Sequence, residues 1–147
     1  MRPELDNNGT SQIKGNEVKH RILVVDSDSQ SRELLSRWLE SEGHKAILAE
    51  TLEEGFVKIA DPPLPSVVLL DIQLGNHSWL TLVHWARRQH HLASVPIAAM
   101  ATFASFKEFK RVEEAGCNTC FTKPIDFRSL RTYLFSLHVY SASKIIR

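Results

Sequence analysis

The sequence predicts an α/β domain in which a parallel five-stranded sheet carries helices on both faces. Three observations carry that prediction. Short apolar runs, Ile22-Leu23-Val24-Val25, Val67-Val68-Leu69-Leu70 and Pro96-Ile97-Ala98-Ala99-Met100-Ala101, have the composition of strands buried on both faces. Between the runs lie segments whose apolar residues recur at helical spacing. Strand and helix alternate five times along the chain, an order that demands parallel pairing through right-handed crossovers.

With 147 residues the chain is long enough for one domain with a real core and too short for two ordinary ones. Residues 1–19 are polar, include Gly9 and Gly15 and have no apolar period, so they read as a mobile leader. The first strand ends at Asp26. Any of several residues from Ser27 to Ser31 can cap the helix that follows, which carries Leu34, Leu35, Trp38 and Leu39 and stops at Gly43. A short strand, Ala46-Ile47-Leu48-Ala49, comes next. Thr51 with Glu54 three residues on has the spacing of a capping box, and the helix it opens carries Leu52, Phe56, Val57 and Ile59.

Asp61-Pro62-Pro63-Leu64-Pro65 ends that helix, because proline lacks the backbone donor, and feeds the central strand that closes at Asp71. After Gly75-Asn76 a third helix carries Trp79, Leu80, Val83 and Ala86. The fourth strand leads to a helix with Phe106, Phe109 and Val112 that closes at Gly116. Thr119-Cys120-Phe121-Thr122 is the fifth strand, and a last helix carries Phe127, Leu130, Leu134 and Leu137. The expected domain spans 20–138, with a tail at 139–147 and no attached output domain.

Of the common strand orders for such a sheet, 2-1-3-4-5 suits five strands, and its switch point falls between strands one and three. Those strands end in Asp26 and Asp71, so topology brings both carboxylates to one crevice at the carboxyl edge, where ligands collect in open α/β sheets. Alone, Asp71 serves equally well to begin a turn or cap a helix. Beside Asp26 it repels a like charge, so one carboxyl holds a proton or the pair binds a cation, and oxygen ligands favour Mg²⁺ or Ca²⁺. Lys123 ends the fifth strand on the same edge and can neutralise a phosphate or pair with Asp71. Carboxylate, cation site and ammonium together suit the receipt of a phosphoryl group, which needs mainly positioning and charge stabilisation. The plain alternative is a structural salt bridge.

Ile22-to-Asp26, Val67-to-Asp71 and Lys123-Pro124, in order on strands one, three and five, resemble the receiver domain of two-component response regulators. That resemblance covers roughly residues 20–138 and implies a flavodoxin-like (βα)5 three-layer sandwich. It implies that Asp71 is the phosphoacceptor, served by a sensor histidine kinase or a histidine phosphotransfer protein. Asp26, Asp71 and the backbone carbonyl of Gln73 would hold Mg²⁺, Lys123 would contact the phosphoryl oxygens, and the Lys123-Pro124 bond would be cis. Signalling would run through docking to a downstream protein target, with no enzyme activity beyond self-catalysed phosphorylation and dephosphorylation, and with a homodimer as a further option.

Several positions depart from the family pattern. Ser27 stands where a second acidic residue is usual, with Asp28 one place further as a candidate ligand. Ala101 stands where a hydroxyl is expected, and Thr102 follows as the substitute phosphate contact. Cys120 occupies the switch position that often holds Tyr or Phe, and the loop after Asp71 has Gly75 and Trp79 where Pro and Gly are usual. Ser27, Ala101 and Cys120 motivate an alternative, a receiver-like interaction module independent of phosphorylation. A further alternative is a haloacid-dehalogenase-type phosphatase, whose D-x-D start Asp26-Ser27-Asp28 resembles. Such enzymes need a later acidic pair, and after Lys123 only Asp126 is acidic.

The remaining signals mostly exclude. A net charge of +1 leaves no electrostatic footprint for nucleic acid or an anionic membrane. No apolar run is long enough to span a bilayer, the first nine residues lack the apolar centre of a secretory signal, and two cysteines make no disulfide framework, so a cytoplasmic protein is expected. Cys117-Asn118-Thr119-Cys120 has C-x-x-C spacing but leads into a strand instead of opening a helix, which argues against redox or zinc chemistry. His77, His84, His90 and His91 read as solvated residues along the third helix. Phe103, Phe106 and Phe109 read as core and helix packing, with any exposed member available for docking.

Overall fold

The computed structural model describes residues 19–73, 77–102 and 105–146, with side chains described through residue 137. The elements alternate as β1 (Arg21–Val25), α1 (Ser29–Ser41), β2 (Lys45–Ala49), α2 (Leu52–Ala60), β3 (Val67–Asp71), α3 (Trp79–Arg88), β4 (Ile97–Ala101), α4 (Phe106–Ala115), β5 (Thr119–Thr122) and α5 (Phe127–Ile146). All four strand pairings are parallel and the order is β2-β1-β3-β4-β5, as the sequence predicts.

Side chains alternate across a strand, and here each face of the sheet has its own core. Ile22, Val24, Val67, Leu69, Ala98 and Met100 meet Leu35 and Leu39 of α1 and Leu130 and Leu134 of α5. On the other face Leu23, Val25, Val68, Leu70 and Ile97 meet Ile59 of α2, Trp79, Leu82 and Val83 of α3 and Val112 of α4. That double burial is why β3 and β4 are apolar without alternation.

Local chemistry sets the helix starts. Asp28 caps α1 by accepting from the Gln30 amide, Thr51 caps α2 by accepting from Glu54, and Ser105 caps α4 by accepting from Glu108. Gly116, at φ 112°, ends α4 in the left-handed conformation that glycine adopts without a Cβ clash. α3 has no side-chain cap at Ser78. Its first residue, Trp79, is instead fully buried, and its indole N–H finds no partner among the described residues. Behind α3, Arg87 donates to the carbonyls of Gly116, Ala93 and Val95 and to Asn118 Oδ1, fastening the turns that precede β4 and β5.

Three expectations change. Only His84 lies within α3; His77 precedes the helix and His90 and His91 follow it, because α3 spans only Trp79–Arg88. Phe106 is 80% exposed and Phe109 40% exposed, so neither is core; Val112 and Ala115 carry the packing of α4. α5 runs to Ile146, so the backbone through 146 is helix where a tail was expected. The leader up to residue 18, the Gly75 position and Phe103 lie outside the described residues.

Candidate functional site

Asp26 and Asp71 are the only buried polar or charged residues among those described, at 0% and 4% exposure. Their neighbourhood follows from register. Val25 pairs with Leu70 across β1 and β3, so the next residue on each strand is an aspartate at the carboxyl edge of the sheet. Lys123 leaves β5 directly after the Thr122–Ala101 pair, with its amide donating to the Ala101 carbonyl at 2.7 Å. The Lys123-Pro124 bond is cis, as the resemblance implies.

The ammonium bridges the two carboxylates. Lys123 Nζ lies 2.8 Å from Asp26 Oδ2 and 3.6 Å from Asp71 Oδ2, so of the two carboxylates its closer hold is on Asp26. Each carboxylate also accepts one nearby amide: Asp28 N–H donates to Asp26 Oδ1 and Gln73 N–H to Asp71 Oδ1, both at 3.0 Å. Burial pushes the Asp26 carboxyl up, but the hydrogen bonds from Lys123, the Asp28 amide and the Ser31 hydroxyl outweigh it and hold the group below the usual carboxylate range. At Asp71 the net shift is opposite, because there burial prevails. Aided by the adjacent Asp26 charge, it raises Asp71 above the usual range against the Gln73 amide and Lys123. Asp26 is therefore the more acidic carboxyl, held close to Lys123, and Asp71 is the more basic of the two.

The remaining expected residues fall into place unevenly. Ser27 is exposed. The Asp28 carboxylate is committed to capping α1 and adds no third oxygen beside Asp26. Ala101 is fully buried on an apolar face and offers no hydroxyl. Thr102 is exposed, and its Oγ1 donates to Gln73 Oε1 at 2.7 Å. Cys120 is half-buried against the core beneath α2, α3 and α4, and burial raises its thiol. Cys117 is pushed up to about 12 by burial, so neither cysteine has the thiolate character that redox chemistry needs, and both are free.

No group of three or more His, Cys, Asp or Glu side chains converges among the described residues. The pair Asp26 and Asp71, with the Gln73 carbonyl nearby in sequence, does fit one hard cation that keeps several of its waters, because two carboxylates share a single ammonium and one is destabilised by the other.

Sequence reasoning missed two contributors. Ser31 reaches Asp26 from the first turn of α1, and the Gln73 side chain, not only its carbonyl, faces a partner across the edge. Ser31 was legible only as one of several possible caps. Beside Lys123 a groove of about 350 Å³ is lined by Ser31, Leu34, Leu35, Pro124, Ile125 and Phe127, among others, and gives the acidic site one apolar wall.

Comparison with known proteins gives one consistent result. The family model of the response regulator receiver domain matches residues 22–135. The polar-differentiation response regulator DivK of Brucella ovis is 25% identical over 117 residues, covering 77% of this chain and 94% of that protein. Among solved structures, the signal receiver domain of a DNA-binding response regulator from Colwellia psychrerythraea has a TM-score of 0.73 at 23% identity, covering 80% of this chain and 96% of that one. The chemotaxis protein CheY4 of Vibrio cholerae has a TM-score of 0.74 at 20% identity, covering 82% and 99%. At such identities the structures establish the fold alone.

Proposed function

Because the chain belongs to the response regulator receiver domain family, we propose that Asp71 accepts a phosphoryl group from a phosphohistidine on a sensor kinase or phosphotransfer protein. An Asp71 carboxylate oxygen forms a bond to phosphorus as the phosphorus–nitrogen bond breaks. The departing imidazole nitrogen keeps that electron pair and takes up a proton. The observation that carries this reading is the buried Asp26–Lys123–Asp71 arrangement, with Lys123 held between the two carboxylates. Lys123 meets the charge on the transferred group, and Asp26 orients Lys123 for it.

A bound Mg²⁺ would neutralise charge on the phosphoryl oxygens. Asp26, Asp71 and the Gln73 carbonyl would hold it, and Ser27 supplies a weaker ligand than a carboxylate would. The groove beside Lys123 offers the donor protein an apolar contact next to the acceptor, with Leu34 57% exposed on its wall. The phosphorylated state biases an existing equilibrium in the face formed by α4 and β5, and a downstream protein reads it by docking. The aspartyl phosphate is lost by hydrolysis within the same site, and the protein works in the cytoplasm. No helix among the described residues is long and apolar enough to cross a membrane.

A second reading, a receiver-like module that does not switch on phosphorylation, is favoured by Ala101, by Cys120 and by the engagement of Thr102 with Gln73. Intact mass after incubation with acetyl phosphate and Mg²⁺ separates the two. One phosphoryl adduct on the wild type and none on Asp71→Asn is the expected result. No adduct on either, with a histidine kinase also failing as donor, would leave the phosphorylation-independent module.

A further inference from the structure

β2 lies at one edge of the sheet, paired there with β1, and an edge strand offers a row of backbone groups to any chain that can add to it. Its run Ala46-Ile47-Leu48-Ala49 is apolar and uncharged, a composition that favours such addition. In a parallel ladder alternate residues bond to the same neighbour. The Lys45 amide donates to the His20 carbonyl and the Ala49 carbonyl accepts from the Asp26 amide, so Lys45, Ile47 and Ala49 face β1. The N–H and C=O of Ala46 and of Leu48 therefore point away from the sheet. Charged side chains from the two opposite helical layers hold two of these groups. Ala46 N–H donates to Glu40 Oε2 of α1 at 3.2 Å, and the Leu48 carbonyl accepts from Lys58 Nζ of α2 at 2.6 Å.

We propose that the β2 edge is a self-pairing surface for a second copy of this chain, and that Glu40 and Lys58 hold it shut. A two-fold axis through Ile47 would set two β2 strands antiparallel, with Ala46 of each copy opposite Leu48 of the other. Residues opposed in this way exchange both of their N–H···O bonds, and a two-fold contact closes on itself. The Ala46 donor and the Leu48 acceptor are partners across that axis. They are also the groups that Glu40 and Lys58 occupy, so half of the bonds open to the pair are blocked at both ends. A carboxylate acceptor and an ammonium donor form stronger bonds than the neutral amide and carbonyl that would replace them. The single chain is therefore favoured, and this holds whether or not Asp71 accepts a phosphoryl group.

Sedimentation equilibrium of the full chain over a range of concentrations tests this on the wild type and on Glu40→Ala with Lys58→Ala, a pair of changes that leaves the net charge as it was. Alanine suits both helical positions. The mass of the double variant should rise with concentration toward twice that of one chain, beyond any rise in the wild type. Adding Ala46→Pro should return it to wild-type behaviour, because proline there removes an outward donor and no bond to β1. A control, Glu53→Ala with Lys107→Ala, removes the same charges from exposed sites on α2 and α4 and should match the wild type. A double variant that keeps the wild-type mass at every concentration overturns the proposal. So does association that survives Ala46→Pro or that appears equally in the control. Should far-ultraviolet circular dichroism show the double variant unfolded, Lys58→Ala alone carries the same test with the same outcomes.

Discussion

Asp71 and Asp26 have the same chemistry and opposite environments, and the difference predicts opposite effects on stability. Asp71 holds its proton more tightly folded than unfolded, so it favours the folded state least once pH has risen through its raised value, and its charge is a standing penalty at pH 7. Asp71→Asn should therefore stabilise the protein at pH 7 by about 1 kcal/mol, and the gain should vanish as pH falls below the ordinary carboxylate value; thermal melts across that range check both. Lys123→Met removes the ammonium that the two buried carboxylates share. It should cost about 3 kcal/mol at pH 7. The deficit should shrink as pH falls, because a proton on one carboxyl relieves the repulsion, and urea titrations at pH 7 and pH 5 would expose a pH-independent loss that contradicts this account. At this scale Asp26, Asp71 and Lys123 were legible because each sits where a strand ends. Ser31 and the Gln73 side chain were not, because their roles depend on helix phase and on a partner distant in sequence.

α4 shows where periodicity alone misleads. Phe106, Phe109 and Val112 recur every third residue, but at 3.6 residues per turn Phe106 and Val112 point roughly 120° apart. Only Val112 and Ala115 reach the sheet, and Phe106 stands in solvent. Phe106→Asp should leave stability within about 0.5 kcal/mol, aided by an acidic group at the helix start, whereas Val112→Ala should cost about 1 to 2 kcal/mol. Chemical denaturation of the two variants decides it; equal costs would mean that Phe106 is packed after all. The caps, by contrast, were visible in advance. Thr51 with Glu54 is a local motif, and Gly116 ends α4 because only a residue without a Cβ takes φ 112° easily. The histidines were misplaced for a related reason, since nothing local marks Arg88 as the end of α3.

Across the whole molecule, two cores share one sheet, and neighbouring residues of β3 serve different ones. Leu69 packs toward α1 and α5, Leu70 toward α2, α3 and α4. Each truncation to alanine should cost about 3 kcal/mol, and denaturation of the double variant should return close to the sum, since the side chains lie on opposite faces. A double variant much less destabilised than that would show that the faces are not independent. The sequence by itself determined the fold class, the strand order and the meeting of Asp26, Asp71 and Lys123 at one edge. It could do so because strand burial, helix period and right-handed crossover are repeated local patterns that allow few arrangements. Only the tertiary structure decided which carboxylate holds Lys123 more closely, that Asp28 is spent on a helix cap, and that Thr102 and Arg111 grip Gln73 and His77. Those outcomes turn on ångström-scale competition among donors and acceptors brought together from separate elements, and no spacing along the chain encodes it.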